Sequence, residues 1–244
     1  MVGGLLVAAV CAGRLSGQNV SEQYLLAAAN QDRAAHGLAP VRLEGRLVEA
    51  ARRHAYEMVR HRTISHQFAG EAGLAERAGK AGARFSLVTE NVAEASNAAL
   101  IHELWMQSAG HRANLLDAAV DEVGIAVVQD HGQLYAVEDF AKAVERLSLE
   151  EQEGAVASLM EASGLKVTAG TEGARQTCGL AKGWAGERQP WFVMRWTSSD
   201  ARRLPEQLTT RLGNGRYREA EVGACATGKA GPFTSYSLAV MLFP

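Results

Sequence analysis

The side chains of His66, Glu90 and His111 are of the types that bind metal ions or transfer protons. Two neutral imidazoles and a carboxylate form a sensible site for zinc or another divalent metal, in which the carboxylate either binds the ion or orients a histidine. A metal-bound water with Glu90 as base is also chemically possible. In the structural alternative, Glu90 ties both histidines and a loop together by hydrogen bonds. We favour a binding or structural role over an enzymatic one.

Motifs of several enzyme classes are missing from the sequence. His102 and Glu103 begin like a zincin helix, but Met106 stands where the second histidine must be. Phosphate-binding loops, nucleotide-binding glycine fingerprints and the G-x-S-x-G elbow do not occur. His54 lies in an apolar helical stripe, which favours a packed core histidine over a ligand. Nucleotide-dependent and α/β-hydrolase chemistry therefore lack support.

A series of helices followed by two strands must position these residues. Ser21 is a plausible N-cap of the first helix, and Gly37 stops that helix. We expect Gly110 to end the helix that precedes His111 and to free the geometry of that histidine. Asp130-His131-Gly132 predicts a hairpin with a solvated tip. The predicted helices cover residues 21–37, 45–60, 71–78 and 97–108, and the predicted strands cover residues 122–129 and 133–140.

Five short motifs occur in order along the first half of the chain: Asn30-Gln31-Asp32-Arg33, Ser65-His66, Thr89-Glu90-Asn91-Val92-Ala93, Trp105-Met106-Gln107-Ser108-Ala109-Gly110-His111-Arg112 and Val123-Gly124-Ile125-Ala126. Their order and spacing resemble the bacterial CAP domain, also called the SCP domain, of cysteine-rich secretory and pathogenesis-related proteins. The resemblance implies an α+β fold, an α-β-α sandwich in which helices cover both faces of a central antiparallel sheet. It also implies an open cavity where the two histidines and the glutamate converge.

In the fuller site of that family, two histidines and two glutamates line the cavity. By resemblance, His66 and His111 match the histidines and Glu90 matches the first glutamate, whereas Ser108 occupies the position of the second. Ligand binding would then involve all four residues, any metal would be held by the two histidines, and Glu90 is the one catalytic candidate. The missing carboxylate makes ligand binding or weak metal binding easier to defend than catalysis.

Other polar and aromatic residues near these motifs are expected to be structural. Asn30, Arg33 and Asn91 should satisfy buried backbone groups at junctions of helices and loops. Trp105 should pack in the core and position the loop of His111. The tryptophans of the second half are expected to be core residues more often than stacking platforms for a ligand: Trp184, Trp191 and Trp196.

The pattern restarts after Lys142. Ser148 and Glu151 have the form of a capping box that opens a new helix. We therefore assign residues 21–146 to the CAP domain and residues 147–244 to a smaller, strand-rich α+β domain. Its predicted strands cover residues 191–196 and 236–243, and residues 204–212 fit either a helix or an edge strand. The sequence shows no internal repeat.

The N-terminus and the cysteines both predict export. Residues 1–20 contain an apolar run that ends in small residues, which is typical of a signal peptide and too short to span a bilayer. A buried strand, or lipid modification of Cys11, are the alternatives. Beyond that segment only Cys178 and Cys225 remain, and we predict that they form a disulfide in an oxidising compartment. We therefore expect a secreted or periplasmic protein without a transmembrane anchor.

Composition and charge narrow the range of partners. The formal net charge of -2 gives no attraction toward nucleic acid, so a nucleic-acid partner is disfavoured. The leading hypothesis is a secreted, non-enzymatic protein that binds a small or extended ligand, such as a lipid or a cell-envelope component, or a divalent metal. A zinc-dependent hydrolase or peptidase that uses His66, His111 and Glu90 is the first alternative. An extracellular interaction module that acts through the C-terminal domain is the second.

Overall fold

A computed structural model describes residues 19–226 and 231–244. These residues form two units, each built from helices and a four-stranded sheet. The predicted signal peptide ends at residue 20, and its first 18 residues, with Cys11, lie outside the described part of the chain. The first unit comprises α1 (Val20–Ala35), β1 (Arg42–Leu43), α2 (Gly45–His61), α3 (Leu74–Lys80), β2 (Phe85–Ala95), α4 (Ala98–Gln107), α5 (Ala109–Leu115), β3 (Glu122–Asp130) and β4 (Gln133–Ala143).

The first sheet has the strand order β1-β3-β4-β2 and lies between two layers of helices. β4 pairs antiparallel with both β2 and β3, whereas the short β1 runs parallel to β3. On one face, Ile125 belongs to a core cluster with Leu25 of α1 and Ile101 of α4. On the other face, Ala126 belongs to a cluster with Ala51 of α2. The predicted α+β class and α-β-α sandwich are confirmed, with β1 as a parallel addition to the antiparallel sheet.

The strand β2 lies at one edge of this sheet, and its two central residues point to opposite helical layers. Successive side chains on a strand alternate between the faces of a sheet. Glu90 therefore lies on the α2 face, where its carboxylate meets His54 and Arg77. Asn91 lies on the other face, where its side chain contacts α5. One edge strand thus reaches segments from both helical layers.

The first helix begins at a different cap than the one predicted. Asn19, not Ser21, is the N-cap, because its side chain accepts a hydrogen bond from the backbone of Glu22. The carboxylate of Glu22 in turn accepts from the backbone N–H of Asn19. This reciprocal pair is a capping box with asparagine in the place of serine or threonine.

The prediction that Gly110 ends a helix and frees His111 is wrong. The break comes earlier, at Ser108, whose extended backbone (ψ 121°) separates α4 from α5. Gly110 and His111 both lie inside α5. His111 is therefore held by a helix and does not belong to a free loop.

The polar residues expected to be structural do satisfy backbone groups. Asn30 accepts a hydrogen bond from the backbone N–H of Val41 and donates one to its carbonyl. Trp105 of α4 is fully buried in the core. Arg33 is 1% exposed, and its guanidinium donates to the carbonyls of Ala39, Leu115, Asp117 and Val120.

The second unit contains the remaining elements and the predicted disulfide. Cys178 and Cys225 are bonded, which joins α7 to the end of β7. Ser148 and Glu151 form the predicted capping box at the start of α6. The domain boundary after residue 146 stays a prediction. The elements are α6 (Leu149–Glu161), β5 (Lys166–Ala169), α7 (Glu172–Gly179), β6 (Phe192–Ser198), α8 (Glu206–Leu212), β7 (Glu219–Cys225) and β8 (Tyr236–Phe243).

The second sheet repeats the topology of the first. Its strand order is β5-β7-β8-β6, with β5 parallel to β7 and with β8 antiparallel to both neighbours. Helices precede the corresponding strands in both units, although the described residues of the second unit include no counterpart of α3 or α5. The residue pattern shows no internal repeat, but the structure has one in the topology of its two sheets. The repeat is one of chain path, which different side chains can follow.

Two details show that the repeat extends to the register of the strands. The backbone N–H of Glu44 donates to Val123 across β1 and β3 at 2.9 Å, and Gly170 donates to Val222 at the same place in the second unit at 2.8 Å. One residue later along β3 and β7, a glycine faces a helix backbone in each unit. A Cβ on Gly124 would lie 2.1 Å from Leu47 of α2, and a Cβ on Gly223 would lie 2.2 Å from Ala174 of α7.

Two tryptophans of the second unit are not core residues. Trp184 is 42% exposed and Trp191 is 62% exposed, so the expectation of burial is wrong for both, whereas Trp196 packs partly against the second core. Residues 204–212, which fitted two structures, contain the helix α8 with Pro205 at its N-cap position. Among the described helices, none combines the length and apolarity that crossing a membrane requires.

Candidate functional site

The centre of the candidate site is the carboxylate of Glu90, which is 3% exposed. One oxygen, Oε1, lies 2.9 Å from Nδ1 of His66. The other, Oε2, accepts a hydrogen bond from the guanidinium of Arg77. Since a carboxylate accepts, His66 donates through Nδ1 and its Nε2 remains outside this bond. Both oxygens of Glu90 are thus engaged within the protein.

Arg77 of α3 is the residue that the sequence analysis missed. Its guanidinium donates to the backbone carbonyls of His66 and Ala72 at 3.1 and 3.2 Å, in addition to its bond with Glu90. One buried cation therefore holds both the main chain of His66 and the carboxylate that orients the His66 ring. No sequence pattern distinguishes Arg77 from a surface arginine, because its partner Glu90 lies 13 residues away on a strand.

His54 is a packed core histidine, as expected, and it borders the site. Its ring is fully buried, with Nδ1 2.7 Å from the carboxylate of Glu71 and Nε2 2.7 Å from the carbonyl of Ser65. It also lies 3.8 Å from the carboxylate of Glu90. His54 thereby ties α2 to the loop that carries His66.

His111 approaches from the opposite helical layer. Its backbone carbonyl accepts a hydrogen bond of 3.1 Å from the side chain of Asn91. Asn114, one turn later on α5, donates to the backbone of Glu90 and to the side chain of Asn91. The His66 and His111 rings face each other with centroids 6.4 Å apart. The structure therefore brings together the three residues that the resemblance placed at the site.

Ser108 lies three residues before His111 in the chain. It is half-buried, ends α4 and begins α5, and its side chain makes no capping hydrogen bond to the helix that follows. Its contribution to ligand binding stays a prediction.

The surroundings shift the pKa values of the two imidazoles in opposite directions. The hydrogen bond that His66 donates to Glu90 raises the pKa of His66, against the effects of burial and of Arg77. Burial lowers the pKa of His111, and the nearby His66 lowers it further. His66 therefore takes up a proton at a higher pH than His111, and a protonated, exposed imidazole suits an anionic or strongly accepting group.

The donor set does not fit a zinc site. Catalytic zinc sites use three protein ligands and structural sites use four. Here the two histidines are present, but both oxygens of Glu90 are already engaged by His66 and Arg77. Within residues 19–226 and 231–244, no three side chains of His, Cys, Asp or Glu are grouped to hold a metal ion.

Two further acids are buried in β4 behind the site. Asp139 pairs with Glu90 across the sheet, and burial, together with the Glu90 charge, raises the pKa of Asp139. Glu138 points to the other face and is fully buried, with no hydrogen-bond partner for its carboxyl oxygens among the described residues. Burial raises the pKa of Glu138 to about 8, while Asn91 acts in the opposite direction. At neutral pH Glu138 is therefore a neutral acid.

We expect Glu138→Gln to stabilise the protein above pH 5. In the unfolded chain this carboxyl ionises near its ordinary pKa of 4.5, so folding at higher pH must take up a proton. That cost grows as the pH rises from 4.5 toward about 8 and amounts to about 3 kcal/mol at pH 7. Urea unfolding at pH 4, 5.5 and 7 measures it. The exposed Glu103→Gln is the control, and a pH-independent difference between Glu138→Gln and wild type would contradict the prediction.

The first half of the chain is similar to known proteins. Residues 26–140 match the model of the CAP family, described as the cysteine-rich secretory protein family. Among solved structures, an extracellular protein with an SCP domain from Bacillus anthracis is 24% identical and covers 50% of this chain and 40% of its own, with a TM-score of 0.47. An outer surface protein from Borrelia burgdorferi is 20% identical, with coverages of 50% and 92% and a TM-score of 0.48.

A third solved structure is also similar to half of this chain. A cysteine-rich secretory protein from Staphylococcus aureus is 23% identical, covers 50% of this chain and 38% of its own, and has a TM-score of 0.42. The present chain thus spans less than half of the Bacillus and Staphylococcus chains. A comparison with curated proteins finds no match. On the family model, residues 26–140 of this chain form a CAP domain of the cysteine-rich secretory protein family.

Proposed function

We propose that this protein is secreted and binds, without catalysis, an anionic amphiphile such as a lipid or a cell-envelope fragment at the His66 site. The observation that carries the proposal is the pair of hydrogen bonds that Arg77 and His66 donate to the buried carboxylate of Glu90, here called the Glu90 relay. It leaves the His66 ring 60% exposed and oriented by a hydrogen bond to its Nδ1. A protonated, exposed imidazole that is held in place is suited to receive an anionic head group.

Two exposed apolar side chains that are close to site residues along the chain favour a ligand with an apolar part as well. Ile64, two residues before His66, is 45% exposed, and Leu104, one turn before Ser108, is 42% exposed. Exposed apolar side chains beside a polar anchor suit an amphiphilic ligand. Secretion is supported by the apolar run at the N-terminus and by the disulfide in the second unit.

The engagement of Glu90 argues against a zinc-dependent hydrolase. A general base must reach a water or a substrate proton, and the Glu90 carboxylate is buried between His66 and Arg77. We therefore expect calorimetric titration of metal-stripped protein with zinc to show no stoichiometric binding. Tight binding that His66→Ala and His111→Ala both abolish would favour the hydrolase instead.

We expect decanoate to bind more tightly than decanol, because only the carboxylate can pair with protonated His66. Both probes have the same chain length, so their difference measures the head group. His66→Gln should weaken decanoate binding about tenfold, which is about 1.4 kcal/mol. Affinity should fall as the pH rises through the raised pKa of His66. Isothermal titration between pH 5.5 and 8.5 is the measurement.

His131→Gln is the matched control, since His131 is an exposed histidine in the hairpin between β3 and β4. It should leave decanoate binding unchanged. Equal affinity for decanoate and decanol, or equal affinity in wild type and His66→Gln, would refute the proposal.

A further inference from the structure

The second unit repeats the fold of the first without its site. In the first sheet, a row of three paired residues crosses β2, β4 and β3 and includes Glu90 and its neighbour Asp139. The register of the second sheet places a different row at the same position. The first row is Glu90, Asp139 and Gly124, and the second is Arg195, Ala239 and Gly223.

Arg195, at the position of Glu90, has a structural role. Its Nε donates to the carbonyl of Thr177, and its guanidinium also donates to Gly183. These bonds close the loop after α7 onto β6. The row thus contains one cation and no carboxylate, so this position in the second sheet holds no counterpart of the Glu90 relay.

The second unit instead contacts the first at the helix that carries Arg77. Residues 231–235, which precede β8, lie against α3 and the start of β2. A Cβ on Gly79 of α3 would be only 3.2 Å from Cα of Pro232. The backbone N–H of Thr234 donates to the carbonyl of Phe85 at 2.8 Å. The ring of Phe233 meets the buried ring of Phe85 edge-on, with centroids 5.4 Å apart.

This contact bears on the site because α3 is short. A helix of seven residues is not stable by itself and takes its position from the surfaces around it. Ala78 anchors one side of α3 in the core with Phe85, and Pro232 covers Gly79 next to it. Arg77 lies two residues before Gly79 on this helix.

We propose that residues 231–235 of the second unit position Arg77, and through it the His66 ring. Through this contact the second unit supports the site of the first unit. Pro232 acts on α3, and Thr234 and Phe233 act on Phe85 at the start of the strand that carries Glu90. The proposal concerns the unliganded protein, so it can be tested without any ligand and independently of the proposed function.

The test is the NMR titration of the His66 ring in full-length Gly79→Leu and Phe233→Ala. Both changes disturb the contact outside the site, the first by displacing Pro232 and the second by removing the ring that meets Phe85. We expect the His66 pKa to fall toward its ordinary value by about half a unit in each variant. The reason is that its hydrogen bond to Glu90, the largest cause of the rise, loosens when Arg77 shifts, and this loss outweighs the smaller lowering effect of Arg77 that is relieved at the same time.

Gly154→Leu is the matched control, because Gly154 lies in α6 and a Cβ there would meet open space. It should leave the His66 titration unchanged. Should Gly79→Leu fail to fold, Phe233→Ala decides alone, since Phe233 is 54% exposed and its loss removes little buried surface. An unchanged His66 pKa in a folded variant whose Phe85 and Thr234 signals have moved would overturn the proposal.

Discussion

Gly124→Ala should prevent the first unit from folding with α2 in place. The new Cβ would lie 2.1 Å from the carbonyl carbon of Leu47 and 2.4 Å from the backbone nitrogen of Val48. Side-chain overpacking typically costs about 1–3 kcal/mol because side chains can rotate away. Here the obstacle is helix backbone, so α2 must move as a whole. We expect a loss well above that range, measured by urea unfolding.

The repeated topology supplies a second arm for the same experiment. Gly223→Ala places a Cβ 2.2 Å from the backbone of Ala174 and should disrupt the second unit in the same way. Gly110→Ala is the control, because Gly110 lies in helix α5 with nothing near its Cβ position and alanine favours a helix. Unfolding free energies within about 1 kcal/mol of wild type for both strand variants would contradict this prediction.

The second large effect is expected from Arg77→Met, which removes the cation from a buried ion pair. Arg77 and Glu90 are 6% and 3% exposed, and Asp139 lies behind Glu90. Removal of one partner from such a pair costs about 3–5 kcal/mol, because the other charge is left buried without compensation. The double variant Arg77→Met with Glu90→Gln should recover a large part of this loss. Denaturant unfolding of wild type, Arg77→Met, Glu90→Gln and the double variant measures the coupling.

Arg53→Met provides the comparison for an exposed pair. Arg53 and Glu49 form an ion pair on the surface of α2, with side chains 65% and 52% exposed. Exposed pairs contribute less than about 1 kcal/mol. If Arg77→Met cost no more than Arg53→Met, the pair of Arg77 and Glu90 would not hold the site together, and the proposed positioning of His66 would fail with it.

Predictions succeeded where the structural role of a residue depends on its neighbours along the chain. Trp105 was expected to pack in the core, and it is fully buried. The glycine-containing turn at residues 130–132 predicted a hairpin, and β3 and β4 form one. Helix ends were less accurate, because Asn19 and Ser108 compete with nearby residues for the same role and only the folded backbone selects one.

The candidate site shows the limit of the same approach. Family resemblance placed His66, Glu90 and His111 in one cavity, and they do converge. Arg77 was missed, because its role depends on a short helix being brought against an edge strand.

The sequence by itself determined the CAP resemblance, with the α+β class that it implies, and the two cysteines that pair. Through that resemblance it also predicted His66, Glu90 and His111 as candidate site residues. These depend on local spacing, on residue type and on a count, all of which can be read along the chain. Only the tertiary structure decided that both oxygens of Glu90 are engaged, that His111 is held in a helix, and that the second unit follows the chain path of the first. The reason is physical: a hydrogen bond needs two groups in contact, and a shared topology needs only backbone pairing and a glycine where a helix comes close. Neither requires a repeated side chain, so neither leaves a pattern in the sequence.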